Sequence, residues 1–98
     1  MYVKAYKTQG GLLVAACDRE LLGKKLREGS LVLDLDSHAG FYRGEAADEA
    51  ALEKMLSSAT NANLVGRRAV GCALRLGLAK KSEVKEIAGV EHLQIYCI

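Results

Sequence analysis

Leu12-Leu13-Val14-Ala15-Ala16-Cys17-Asp18-Arg19-Glu20-Leu21-Leu22-Gly23-Lys24-Lys25 is the stretch on which the fold turns. From Leu12 to Cys17 the chain is apolar on both faces, as a central strand of a sheet is. At Asp18 it becomes polar. Aspartate is a favoured residue just ahead of a helix, and Leu21, Leu22 and Leu26 then recur at the spacing of one helical face. The stretch predicts a strand over 12–17 and a short helix over 19–27. Lys24, Lys25 and Arg27 would complement the helix C-terminus, and Gly29 would stop it. A strand end opening onto a helix N-terminus is a common place for α/β proteins to bind ligands. Asp18 is therefore the first candidate site residue. Its ordinary role would be a helix cap. Gly23 inside a helix costs about 1 kcal/mol relative to alanine, which suggests tight packing of the helix on the sheet or the close approach of a ligand.

Before this stretch, Tyr2 to Lys7 alternates, with Tyr2, Lys4 and Tyr6 on one face and Val3 and Ala5 on the other. Thr8-Gln9-Gly10-Gly11 reads as a hairpin turn, so the first two strands should be antiparallel. After it, Leu31-Val32-Leu33-Asp34-Leu35 is a third strand, and 36–44 is a loop carrying His38, Phe41, Tyr42 and Arg43. Asp48 is placed to cap a helix over 49–59 with Leu52, Met55, Leu56 and Ala59 inward. Asn61 is placed to cap a third helix over 62–76, with Val65, Ala69, Cys72 and Leu76 as its seam and Gly77 as its stop. Small residues (Ala62, Gly66, Ala69, Ala73) line that helix and suit close packing. A short strand is expected at 84–88 and a closing strand over 93–98, with Leu93, Ile95 and Cys97 on one face.

The order is β-β-α-β-α-α-(β)-β: a single α/β (α+β) domain over 1–98, with a mixed four- to five-stranded sheet and about three helices. The bulk composition agrees. Ninety-eight residues, half of them hydrophobic and 27% charged, suffice for one core. With no proline, the ten glycines must make the turns. No apolar run approaches the roughly 20 residues that span a bilayer, and the start resembles no signal peptide. A cytoplasmic location follows as the expectation. Cys17, Cys72 and Cys97 form no CxxC or CxH spacing, which argues against a disulfide framework and structural zinc and for small buried hydrophobes.

Net charge is only +2, distributed as +3 over residues 1–30, −4 over 31–60 and +3 over 61–98. It is too small to imply nucleic acid by itself. No P-loop, nucleophile elbow, dinucleotide fingerprint, HxH or HExxH is present, so neither a cofactor nor a metal is expected. An adjacent carboxylate argues against Cys17 as an activated thiol. Two sets of candidates remain. Asp18, Lys24, Asn63, Arg68, His92 and Gln94 could form a small polar or anion-binding site if they converge. Arg67 and Arg68 in the first turns of a helix oppose its dipole, so acidic groups from 45–53, or an external anion, should balance them. The second set, Tyr2, Lys4 and Tyr6, could stack bases and meet phosphates. Lys80, Lys81 and Lys85 flank it, and Gln94 and Tyr96 would join it if the last strand pairs with the first.

Cys17-Asp18-Arg19-Glu20-Leu21-Leu22-Gly23-Lys24-Lys25, Leu31-Val32-Leu33, Phe41-Tyr42-Arg43-Gly44-Glu45, Ala62-Asn63-Leu64-Val65-Gly66-Arg67-Arg68-Ala69-Val70 and Gly89-Val90-Glu91-His92-Leu93-Gln94 together resemble the small archaeal family called domain of unknown function 424. The resemblance covers nearly the whole chain. It implies a single-domain cytoplasmic archaeal protein of unassigned activity, loosely associated with translation and RNA. Two departures stand out: Arg67 where the family tends to be acidic, and Glu91 where it tends to have proline. The first alters the charge beside Arg68. The second frees the backbone ahead of His92. The expectation is a non-catalytic binding module for RNA or a ribonucleoprotein. The alternatives are a small-anion binder or enzyme with its site near Asp18, and a structural homodimer formed through the apolar terminal strand.

Overall fold

A computed structural model describes residues 1–96. Strands β1 (Tyr2–Thr8) and β2 (Gly11–Cys17) form the expected antiparallel hairpin. A 3-10 turn over Arg19–Leu21 leads to a second hairpin, β3 (Lys25–Glu28) and β4 (Leu31–Asp34). Then come α1 (Ala39–Tyr42), β5 (Glu45–Ala46), α2 (Glu49–Leu56), β6 (Asn61–Val65), α3 (Arg67–Arg75), β7 (Lys85–Ile87) and β8 (Val90–Ile95). The main sheet has six strands in the order β5-β1-β2-β6-β8-β7, one more than the upper expectation, and β3-β4 is a separate ribbon. Only β2 and β6 run parallel.

The sheet is the middle of three layers. On one face Val3, Val14, Ala16, Ala62, Leu64 and Leu93 pack against Leu52 and Leu56 of α2 and Ala69, Val70, Cys72 and Ala73 of α3. On the other, Ala15, Cys17, Val65 and Ile87 meet Leu33, Leu35 and Tyr42, from the β3–β4 ribbon, the turn after it, and α1. This explains the unbroken apolar run in β2: both of its faces are roofed.

Two expected helices are corrected. The segment 19–27 leaves helical geometry after one turn. Gly23 takes φ 94° in open space, so its role is conformational and not one of close packing. Its N–H donates to Leu35 O at 2.8 Å, and Leu35 N donates to Lys24 O at 2.7 Å, which draws the chain into a ribbon. Gly29 (φ 62°) and Ser30 make the two-residue turn of that hairpin, so Gly29 ends no helix, and Lys24, Lys25 and Arg27 complement no helix dipole. The expected helix over 62–76 is a strand followed by a helix. Ala62 and Leu64 alternate with Asn61, Asn63 and Val65 between β2 and β8, and Gly66 (φ 103°) breaks the chain before α3 begins.

The remaining elements follow the reading closely. Asp48 caps α2 as expected, its Oδ1 accepting from Ala51 N at 2.8 Å, although the helix ends at Leu56. The 36–44 loop contains the single helical turn α1. Gly77 (φ 72°) stops α3. The strand at 84–88 is β7, and the closing strand starts three residues early, at Val90. The expected placement of Cys97 on its inner face lies outside the described residues. Among those residues, no helix is long and apolar enough to cross a membrane.

Candidate functional site

Asp18 sits at the carboxyl end of β2, 2% exposed. It caps a helix, but not the one that follows it in sequence. Its Oδ2 accepts from Arg68 N at 2.9 Å and its Oδ1 from Ala69 N at 2.9 Å. Both donors belong to the otherwise unsatisfied first turn of α3. Asp18 N in turn donates to Val65 O at 2.9 Å. A Cβ on Gly66 would overlap the Asp18 carboxyl group, so glycine at 66 answers both to its left-handed backbone and to this approach. The anion-attracting N-terminus of α3 is thus filled from within the chain.

The Arg68 side chain is also satisfied internally. Its Nη2 and Nε donate to Glu49 Oε1 and Oε2 at 2.6 and 3.1 Å. This is the acidic partner that the charge pattern called for from 45–53. The guanidinium holds the Glu49 carboxyl down, to about 2.

Asn63 and His92 form a second group, on the opposite face of the sheet. Asn63 Oδ1 accepts from Tyr42 OH at 2.9 Å and lies 3.1 Å from His92 Nε2. Asn63 thus ties α1 to the middle of the sheet. Burial, then the nearby Lys85, pushes the His92 imidazole below its usual value. Burial likewise raises the Tyr42 hydroxyl to about 12. Cys17 is raised to about 12 by burial and then by Asp18, as befits an inert thiol.

The ligand candidates therefore divide. Asp18 meets α3 and Asn63 meets His92, while the Arg68 side chain turns to α2 and Lys24 stands exposed at the mouth of the β3–β4 ribbon. Gln94 is exposed and directly opposite Asn63 in the β6–β8 ladder. A cleft of about 700 Å³ opens with Asp18 in its lining; its other charged walls are Glu20, Arg67, Arg75, Lys81, Glu86 and Glu91, of which Lys81 alone was a candidate, for nucleic acid. The side chains of Arg67 and Lys81 have no hydrogen-bonded or ionic partner among the described residues. Among those residues no three His, Cys, Asp or Glu side chains are grouped to hold a metal ion.

The second set of candidates shares one sheet face. β8 does not pair with β1, because β2 and β6 lie between them. The registers nonetheless align Lys4 with Ala15, Asn63 and Gln94, and Tyr6 with Leu13 and Asn61. Tyr96, one residue past β8 and 70% exposed, continues the alternation toward the Asn61 row. Tyr6 is partly engaged. Its ring stacks on Phe41 at 5.3 Å, its hydroxyl donates to Phe41 O at 2.7 Å, and Lys4 Nζ donates to Gly40 O at 3.1 Å. Tyr2 lies at the roofed end, opposite Cys17. Lys85 stands opposite His92, and Lys80 and Lys81 lie exposed ahead of β7. Leu13 and Asn61 were not among the candidates, and Tyr96 was expected to join them only through a pairing of the first and last strands that the sheet does not make. The alternation of 61–65, taken as a strand, would have found Asn61.

A model of the family described as "Protein of unknown function (DUF424)" matches residues 6–98. No curated protein matches the chain. Among solved structures, an uncharacterized conserved protein from Methanopyrus kandleri is similar, with TM-score 0.83 and 25% identity over 99% of this chain and 90% of that one.

Proposed function

From the premise that the chain belongs to the DUF424 family, we propose that it is a non-catalytic, cytoplasmic binding module for single-stranded RNA, free or within a ribonucleoprotein. One observation carries the reading. The sheet face beyond α1 lines up Tyr6, Leu13 and Asn61, with Tyr96 one residue past the end of β8 and Lys4, Asn63 and Gln94 in the next row. Four strands span about 14 Å, room for a few nucleotides. Tyr96 offers a stacking surface, the amides suit base edges, and Lys4 and Lys85 supply charge near the backbone path.

Anisotropy with a short labelled single-stranded RNA tests this. We expect binding near ~50 mM salt that weakens steeply as salt rises. Tyr96→Ala should cost about tenfold, the weaker end of a lost base stack. No binding at low salt, or full binding by Tyr96→Ala, overturns it. The cleft favours a second reading, a small charged ligand held by Arg67 and Lys81. RNA affinity lost on Arg67→Ala but kept on Tyr96→Ala would move the site there.

A further inference from the structure

Strand β1 has an edge that its neighbour only half covers. β5 pairs with Tyr2 and Val3 alone, yet β1 runs on to Thr8. Met1 and Ala47 exchange both backbone hydrogen bonds, Ala47 N to Met1 O at 2.9 Å and Met1 N to Ala47 O at 3.2 Å. Antiparallel ladders alternate, so Met1, Val3, Ala5 and Lys7 turn their N–H and C=O groups toward this side. Those of Ala5 and Lys7 meet no strand. The chain leaves the edge at Gly44, packed so closely on Val3 O that a Cβ would overlap it. Alongside β5, whose Glu45 and Ala46 form part of its wall, a groove of about 430 Å³ opens between Ala5 on the strand and Ala51 and Met55 on α2.

We propose that this groove receives an extended acidic segment of a partner protein, which adds to the sheet antiparallel to β1 and continues the line of β5. Ala5 and Lys7 supply the backbone hydrogen bonds, and alternate apolar side chains of the incoming strand enter the pocket over Ala51 and Met55. Charge fixes the partner. Lys7 stands on the uncovered half of β1, and Arg43 and Lys54 precede the groove residues Gly44 and Met55; all three are exposed, no side-chain bond engages them among the described residues, and they outnumber the one carboxylate of the lining, Glu45. Lysine on an edge strand by itself guards against association; a formed groove behind the edge gives the charge a partner to select. A second copy fits poorly, because edge-to-edge self-pairing would bring its own Lys4, Lys7 and Arg43 against these.

The test uses the whole chain, isotope-labelled, and a pool of synthetic peptides of about seven residues, a common strand length. The peptides alternate Asp or Glu with Ala, Val, Leu or Met. Amide exchange is read by NMR. In the free chain the Ala5 and Lys7 amides should exchange fast, unlike Tyr6. The pool should slow both at least about tenfold, a protection typical of a paired strand, and high salt should abolish the effect. Ala51→Leu, at an exposed helix position, should fill the pocket and remove the protection without changing the rest of the spectrum. The Tyr96→Ala variant should respond like the parent chain. Four results overturn the proposal: no protection at millimolar pool, equal protection by a lysine-for-acid pool, protection by RNA in place of peptide, or protection that grows with protein concentration alone.

Discussion

The two carboxylate oxygens of Asp18 each hold one backbone N–H of α3. Asp18→Ala strands both donors at a buried helix start, and we expect a loss of about 2 kcal/mol in urea unfolding. Gly66→Ala should cost about 3 kcal/mol, because a Cβ must enter both a strained backbone region and the Asp18 carboxyl. His92 gives a pH signature. Its imidazole is depressed below the unfolded value of about 6.5, so the unfolded chain binds its proton more readily. The stability it contributes is complete above pH ~6.5 and drains away as pH falls through the folded-state value. Melting scans should show this slope, and His92→Gln should flatten it. Sequence read Asp18 as a helix cap but assigned it to the wrong helix. Its partners lie 50 and 51 residues on, and local pattern carries no trace of so distant a bond.

At the scale of elements, β6 is the strand on which the sheet depends, joined to β2 on one side and β8 on the other. Leu64 within it is fully buried. Leu64→Ala should cost about 3 kcal/mol, as large cavities in packed cores do, measured by the same unfolding. The first hairpin and α2 were legible because each signals itself locally: alternation with a glycine turn in one, an aspartate cap with an inward stripe in the other. β6 hid because Asn61 is also a good helix cap, and because Val65 joins Ala69 and Cys72 at helical spacing across the break at Gly66. β3 hid because Leu21, Leu22 and Leu26 happen to share a helical face. In both places tertiary pairing outweighs local propensity. The tyrosine row was half legible: Tyr6 and Tyr96 were named, but only the interposed β2 and β6 show how two distant strands come to share a face.

For the molecule as a whole, the three layers bury Cys17 beyond reach of solvent. Its alkylation by iodoacetamide should therefore require opening of the core, and its rate should rise with denaturant in step with global unfolding. Fast labelling under native conditions would show that the ribbon over that face detaches on its own.

The strand that completes the middle of the sheet is made late. On a ribosome, β2 emerges with its parallel-pairing side bare, and nothing can fill the gap until residue 65 has followed it out. A fragment ending near residue 60 would hold a greasy, unsealed seam on an otherwise finished hairpin. Such nascent chains should depend on chaperone shelter during that interval, and stalled ones should clump.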